Sequence, residues 1–179
     1  MTDPDRAKLI RLFETSRTEF LDALRDVPDE LARVKPLAEQ WSIAELAEHI
    51  VLAEELLFKA AQVAMATPAN PDWEEKTARK TEFIERFMPA VVRRAKAPES
   101  IVPTGGLTLE QAVERFGSAR KQITHFVTET ESDVYRHTVD HPFPAFGTLN
   151  AFQWLLYIPL HTQRHVKQIE ALKSVTQRT

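Results

Sequence analysis

Residues 158–169 read Ile-Pro-Leu-His-Thr-Gln-Arg-His-Val-Lys-Gln-Ile and hold two histidines four positions apart, His161 and His165. On a helix, four residues turn the chain by about 400°, so both imidazoles leave one face on successive turns, about 40° apart. Rings placed this way can reach a single cation. A third ring is available at His49, within Trp-Ser-Ile-Ala-Glu-Leu-Ala-Glu-His-Ile at 41–50. Three neutral imidazoles with a position left for water form an open zinc set of the catalytic kind. An ion held there lowers the pKa of a bound water to about 7. The bland alternative stands beside this one: His-x-x-x-His also arises without a metal, and single histidines often sit half-buried against a carbonyl.

Both groups need helices that turn them inward. His161 and His165 share a sector with Trp154, Ile158, Gln168 and Leu172, and His49 shares one with Leu46, Ala53, Leu56 and Ala60. These are faces a bundle buries, and the small Ala53 and Ala60 leave room beside an imidazole. A buried imidazole needs partners for both nitrogens. A metal takes one, and an outer acceptor takes the other. Glu45, four before His49, and Gln168, three after His165, are the candidates for that outer role.

Four long helices carry the apolar spacing. The first is expected from Asp3, as N-cap with Pro4 behind it, to about Val27, with Leu9, Leu12, Phe13, Phe20, Leu21 and Leu24 as its stripe. The second opens at Ser42, where Ser42 and Glu45 make a capping box, and runs to about Ala66. The third opens with a like box at Thr108 and Gln111, with Val113, Phe116, Ile123 and Val127 as its stripe. The fourth is expected from Thr148 to about Val175. Roughly forty residues between the second and third exceed an ordinary loop. They imply an extra helix near Glu74 to Lys96, kinked or split by Pro89 and ended by Pro98. Segments 97–106 and 138–147, rich in proline and glycine, are read as loops. The fold class is therefore all-α: a four-helix bundle with long connections, formed by a single domain over 1–179.

Composition narrows the partners. The chain has 179 residues with a formal charge of −3, so nothing global draws it to nucleic acid or anionic lipid. With 0 cysteines, thiolate zinc sites, disulfides and a cysteine nucleophile are excluded. The polar N-terminus lacks the apolar core of a signal peptide, and Phe152 to Leu160 is too short to span a bilayer. The expected compartment is the cytoplasm, with no membrane and no nucleic-acid partner. A helical DNA-binding regulator is disfavoured by the missing basic recognition helix.

Other residues rank lower. His125 is expected to face solvent, while His137 and His141 fall in the loop before the fourth helix. Pro159 should bend that helix and free the Leu155 carbonyl, which could aim the histidine pair or be a tolerated bend. Trp154 reads as core before pocket. Arg93, Arg94 and Lys96 suit a solvated helix end. Glu131, Asp133 and Asp140 are all open as a general base, so no catalytic residue is singled out.

The Trp41–Ile50 stretch resembles the first signature of the DinB/YfiT-like superfamily, a tryptophan and helix cap followed by a helical histidine. His141-Pro142, then Phe146-Gly147-Thr148-Leu149-Asn150, Gln153-Trp154 and His161 through Ile169 resemble its C-terminal signature. The resemblance implies a four-helix bundle holding a divalent metal, zinc or nickel, on His49, His161 and His165. It also implies homodimers and small-molecule chemistry, either S-transfer from a low-molecular-weight thiol or metal-dependent hydrolysis. The rival reading is a non-catalytic, stress-related helical dimer with a structural or vestigial metal site.

Overall fold

Each stripe expected from the sequence lies on a long helix of the computed structural model, which describes residues 1–90 and 97–176. Along the chain the helices are α1 (Asp3–Leu24), α2 (Asp29–Ala32), α3 (Ile43–Ala66), α4 (Trp73–Thr77), α5 (Lys80–Phe87), α6 (Leu109–Glu129) and α7 (Ala151–Thr176). Two three-residue strands, β1 (Thr138–Asp140) and β2 (Thr148–Asn150), pair antiparallel with Val139 opposite Leu149. A 3-10 turn covers Glu99–Ile101. The architecture is all-α, with α1, α3, α6 and α7 forming the bundle. Among the described residues no helix is long and apolar enough to cross a membrane.

The long helices pack as α7 on α3 and α1, and α6 on the same two, which puts α1 diagonal to α3. Two apolar clusters give the directions. One joins Leu9 and Phe13 of α1, Leu57 and Phe58 of α3, Ile123 and Val127 of α6, and Ala151 to Leu160 of α7. The other joins Phe20 to Leu24, Ile43 to Val51, Leu109 to Phe116, and Val166 with Ile169. So α1 and α7 run one way and α3 and α6 the other. Because α3 and α6 are parallel neighbours, the chain between them must return along the bundle's length. This is why that connection is long.

Local departures from expectation have local causes. The N-cap of α1 is Thr2, whose side chain accepts from the Asp5 amide, with Asp3 as the first helical residue. The helix stops at Leu24, ahead of Asp26 at φ 59. The extra helix expected from Glu74 onward is two short pieces, α4 and α5, divided where Arg79 adopts φ 58. Its expected end and the Arg93–Lys96 run lie outside the described residues. The fourth helix begins at Ala151 because Gly147, at φ 59, turns the chain into β2. Asn150 and Gln153 then exchange hydrogen bonds, the Asn150 side chain accepting from the Gln153 amide at 2.9 Å and the Gln153 side chain from the Asn150 amide at 3.2 Å. Leu56, expected in the inward sector of α3, is 38% exposed. The boxes Ser42/Glu45 and Thr108/Gln111 are both present.

Candidate metal centre

α3 and α7 are antiparallel neighbours with the most extensive contact in the bundle. The Ser42/Glu45 box sets where α3 starts. It thereby sets the rotation that puts His49 inward on the second turn, 2% exposed. His161 and His165 meet it from α7, each 8% exposed. The ring centroids lie 5.2 Å (His49–His161), 4.6 Å (His49–His165) and 4.4 Å (His161–His165) apart. One ring nitrogen from each falls within 4.8 Å of the other two.

The outer partners decide which nitrogen faces inward. His49 Nδ1 is 2.7 Å from the Ile101 carbonyl. A carbonyl only accepts, so Nδ1 carries the proton and Nε2 keeps its lone pair. His165 Nδ1 is 2.9 Å from Gln168 Oε1, with the same consequence. Gln168 therefore fills the outer role expected of it. Glu45 does not: its carboxylate accepts from the Ser42 amide and pairs with Lys35 at 2.7 Å. A capping residue sits at the mouth of its own helix, one turn short of His49. The acceptor for His49 is a backbone carbonyl 52 residues away in sequence.

His161 Nε2 and His165 Nε2 stand 3.2 Å apart. Two nitrogens bound tetrahedrally to one zinc, each at 2.0–2.1 Å, are separated by about 3.3 Å. The donor set thus fits a divalent cation in element, spacing and protonation. Burial is the main cause holding all three rings neutral. It pushes His49 below its ordinary range despite the opposing Ile101 hydrogen bond. It pushes His161 well below, helped by the repulsion that protonated His165 and His49 would exert and by the Arg164 charge. His165 is brought to about 3 by burial, then by His49 and Arg164, against the pull of Gln168. Neutral imidazole is the form that binds metal.

Trp41 lies against His49 at 4.6 Å between centroids, and the Tyr157 ring stacks near His161 at 6.0 Å. Glu48, beside His49, is 4% exposed. Burial raises its pKa, but hydrogen bonds from Thr104, Gly105 and Gly106 together hold it below the usual carboxylate range. Two surface clefts, about 460 Å³ beside Leu24 and Leu109 and about 300 Å³ beside Trp73 and Tyr135, include none of the three histidines.

The remaining candidates stand apart. His125 is exposed, as expected. His137 Nδ1 bonds the Thr67 carbonyl at 2.6 Å. His141 is buried in an aromatic stack with Trp154, 4.9 Å away, and Trp154 is core at 3% exposed. Glu131, Asp133 and Asp140 are exposed. Asp133 pairs with Arg136, and Asp140 accepts from the Thr148 hydroxyl at 2.7 Å. Three features escaped the sequence reading: the Ile101 carbonyl, Glu48 and the flanking ring of Tyr157. Trp41 stands in the quoted signature, but its packing against His49 is visible only in the fold.

Comparison with known proteins places the chain in a family. A protein of Bacillus subtilis (strain 168), described only as uncharacterized protein YuaE, is 24% identical over 168 residues, covering 93% of this chain and 98% of its own. The model of the DinB superfamily matches residues 12–169, a span that contains all three histidines, and the chain belongs to that superfamily.

Proposed function

We propose that this protein binds one divalent metal ion, zinc or nickel, through His49, His161 and His165, and uses it to transform a small molecule. The observation that carries the reading is the convergence of three neutral, buried imidazoles, two of them held by outer acceptors so that Nε2 faces the common point. An ion on three imidazoles supplies Lewis acidity and brings a water or a thiol toward its ionised form near neutral pH.

The chain's own residues do the rest. Ile101 and Gln168 fix ring orientation, which preserves affinity. Trp41 and Tyr157 screen the rings from bulk water, which strengthens electrostatic interactions inside. Arg164, whose charge reaches both His161 and His165, favours an incoming group that is anionic or becomes so. With 0 cysteines in the chain, a thiol nucleophile would come from a cosubstrate. S-transfer from a low-molecular-weight thiol and hydrolysis both use this arrangement. The reading takes residues 1–179 as one domain acting in the cytoplasm as a homodimer. A second reading, a non-catalytic bundle stabilised by its metal, draws on the depth of the triad.

Elemental analysis of tag-free protein is the test. About one equivalent of zinc or nickel per chain is expected, with loss in His161→Ala. Metal-free protein whose stability ignores added zinc and nickel would overturn the metal reading. Metal-loaded protein inert toward thiol acceptors and hydrolysable esters would favour the non-catalytic one.

A further inference from the structure

Glu48 is a buried carboxylate on the helix that presents His49; among the described residues no cation lies within salt-bridge distance of it, although the Arg115 charge reaches it. A charge in such a position is costly unless hydrogen bonds replace its water. Here they come from one short stretch of chain. Oε1 accepts from the Thr104 amide at 3.0 Å and the Thr104 hydroxyl at 2.8 Å, and Oε2 accepts from the Gly105 amide at 2.8 Å. Gly105 adopts φ +74, a conformation that L side chains rarely take, and nothing lies within 4 Å of where its Cβ would be. The glycine is there for its backbone angle, which turns consecutive amides toward the carboxylate.

The clamped stretch belongs to the segment that supplies the Ile101 carbonyl to His49 Nδ1. Apart from the 3-10 turn at Glu99–Ile101, that segment has no regular structure of its own. Two adjacent residues of α3 therefore grip one loop at two points, Glu48 at 104–105 and His49 at 101. The first grip has no contact with the rings, yet it restrains the loop three residues from the second. If it were released, the Ile101 carbonyl would be held only by its own 3-10 turn and buried side chain, and His49 could place its proton on Nε2, a form unable to donate that lone pair to a cation.

We propose that Glu48 is a positioning residue: by clamping Thr104 and Gly105 it holds the Ile101 carbonyl against His49 and keeps the ring in the tautomer that offers Nε2 to the site. The role in metal binding rests on the function proposed above. The tautomer claim does not, so the two can fail separately.

The test uses the full chain with Glu48→Gln and Thr104→Val. Glutamine keeps the size, but its amide nitrogen cannot accept from a backbone amide. In metal-free protein, long-range ¹⁵N–¹H correlation of the His49 ring should show one protonated Nδ1 in the wild type. A mixture of tautomers should appear in Glu48→Gln, with a smaller shift in Thr104→Val. Zinc titration should then show affinity weakened about 10–100-fold in Glu48→Gln, with helical circular dichroism retained. Should Glu48→Gln fail to fold, Thr104→Val, which removes the hydroxyl that donates to Glu48 and accepts from the Gly106 amide, carries the tautomer test. A folded variant whose His49 stays wholly Nδ1-protonated overturns the proposal, as does unchanged zinc affinity in Glu48→Gln. Wild-type protein that binds no zinc or nickel refutes the metal site, while the metal-free tautomer spectra still decide the role of Glu48.

Discussion

His141 is buried as deeply as His161 and His165 but makes a different kind of site. Its ring lies among Phe143, Phe146, Trp154 and Tyr157, and Nδ1 accepts from the Phe143 amide at 3.0 Å. Tyr157 stands between it and His161. Burial pushes the His141 pKa down to about 4. In the unfolded chain it returns to about 6.5. Between these values the unfolded state binds a proton that the folded state refuses. Its contribution is therefore complete above pH 6.5 and is lost as pH falls toward 4, at up to about 1.4 kcal/mol per pH unit. His49, His161 and His165 act in the same direction in metal-free protein. His141→Phe keeps a stacking ring and removes one titration. Urea unfolding at pH 7, 6 and 5 should show an acid decline shallower by one proton, on top of a constant offset of about 1 kcal/mol for the orphaned Phe143 amide. Parallel declines in variant and wild type would exclude His141 as a contributor. Histidines at i and i+4 advertise a shared face, so His161 and His165 were legible in the sequence. A main-chain acceptor such as the Ile101 carbonyl leaves no mark in residue type, which is why the sequence offers Glu45 as a candidate partner of His49 and not the true one.

Among the elements, each long helix interrupts its apolar stripe with a buried polar residue: Ser16 on α1, Glu54 on α3, Arg120 on α6 and Thr162 on α7. The four meet. The Arg120 guanidinium forks onto Glu54, donates to the Phe13 carbonyl at 2.7 Å and to Ser16 Oγ at 2.9 Å, and lies over the Phe13 and Phe116 rings. The Thr162 hydroxyl donates to Glu54 at 2.7 Å. This layer separates the two apolar clusters, and Thr162 adjoins His161 in the chain. Glu54→Leu alone should cost about 3–5 kcal/mol because it leaves a buried guanidinium without its counter-charge. The double change Glu54→Leu with Arg120→Met should recover most of that loss. Chemical denaturation of the two variants beside the wild type measures it, and equal losses in single and double variants would show that the pair is not what the layer depends on. Periodicity and capping boxes made the helices legible, since Ser42/Glu45 and Thr108/Gln111 are local signals. Glu54 and Arg120 were not legible, because a lone charge on an apolar stripe explains itself only through a partner 66 residues away.

At the scale of the whole molecule, the candidate ligands tie together two antiparallel helices from opposite parts of the chain. His49 belongs to α3, which enters the bundle early, and His161 and His165 to α7, which closes it. An ion held across them would bind only the folded state, since the unfolded chain does not bring the rings together. It should therefore stabilise by mass action. At a free metal concentration 100 times the Kd the gain is about 2.7 kcal/mol. For a chain of this size each kcal/mol moves Tm by roughly 2–4 °C. Chelator-treated protein should thus melt about 5–11 °C higher once zinc or nickel is restored at that excess. His49→Ala should lose most of this gain, although α7 keeps both its histidines, because two ligands on one helix bind an ion without fastening that helix to its neighbour. Scanning calorimetry at several metal concentrations would show Tm rising with the logarithm of free metal in the wild type and nearly flat in the variant. A rise of equal size in both would mean that the ion binds α7 alone and that α3 carries no ligand.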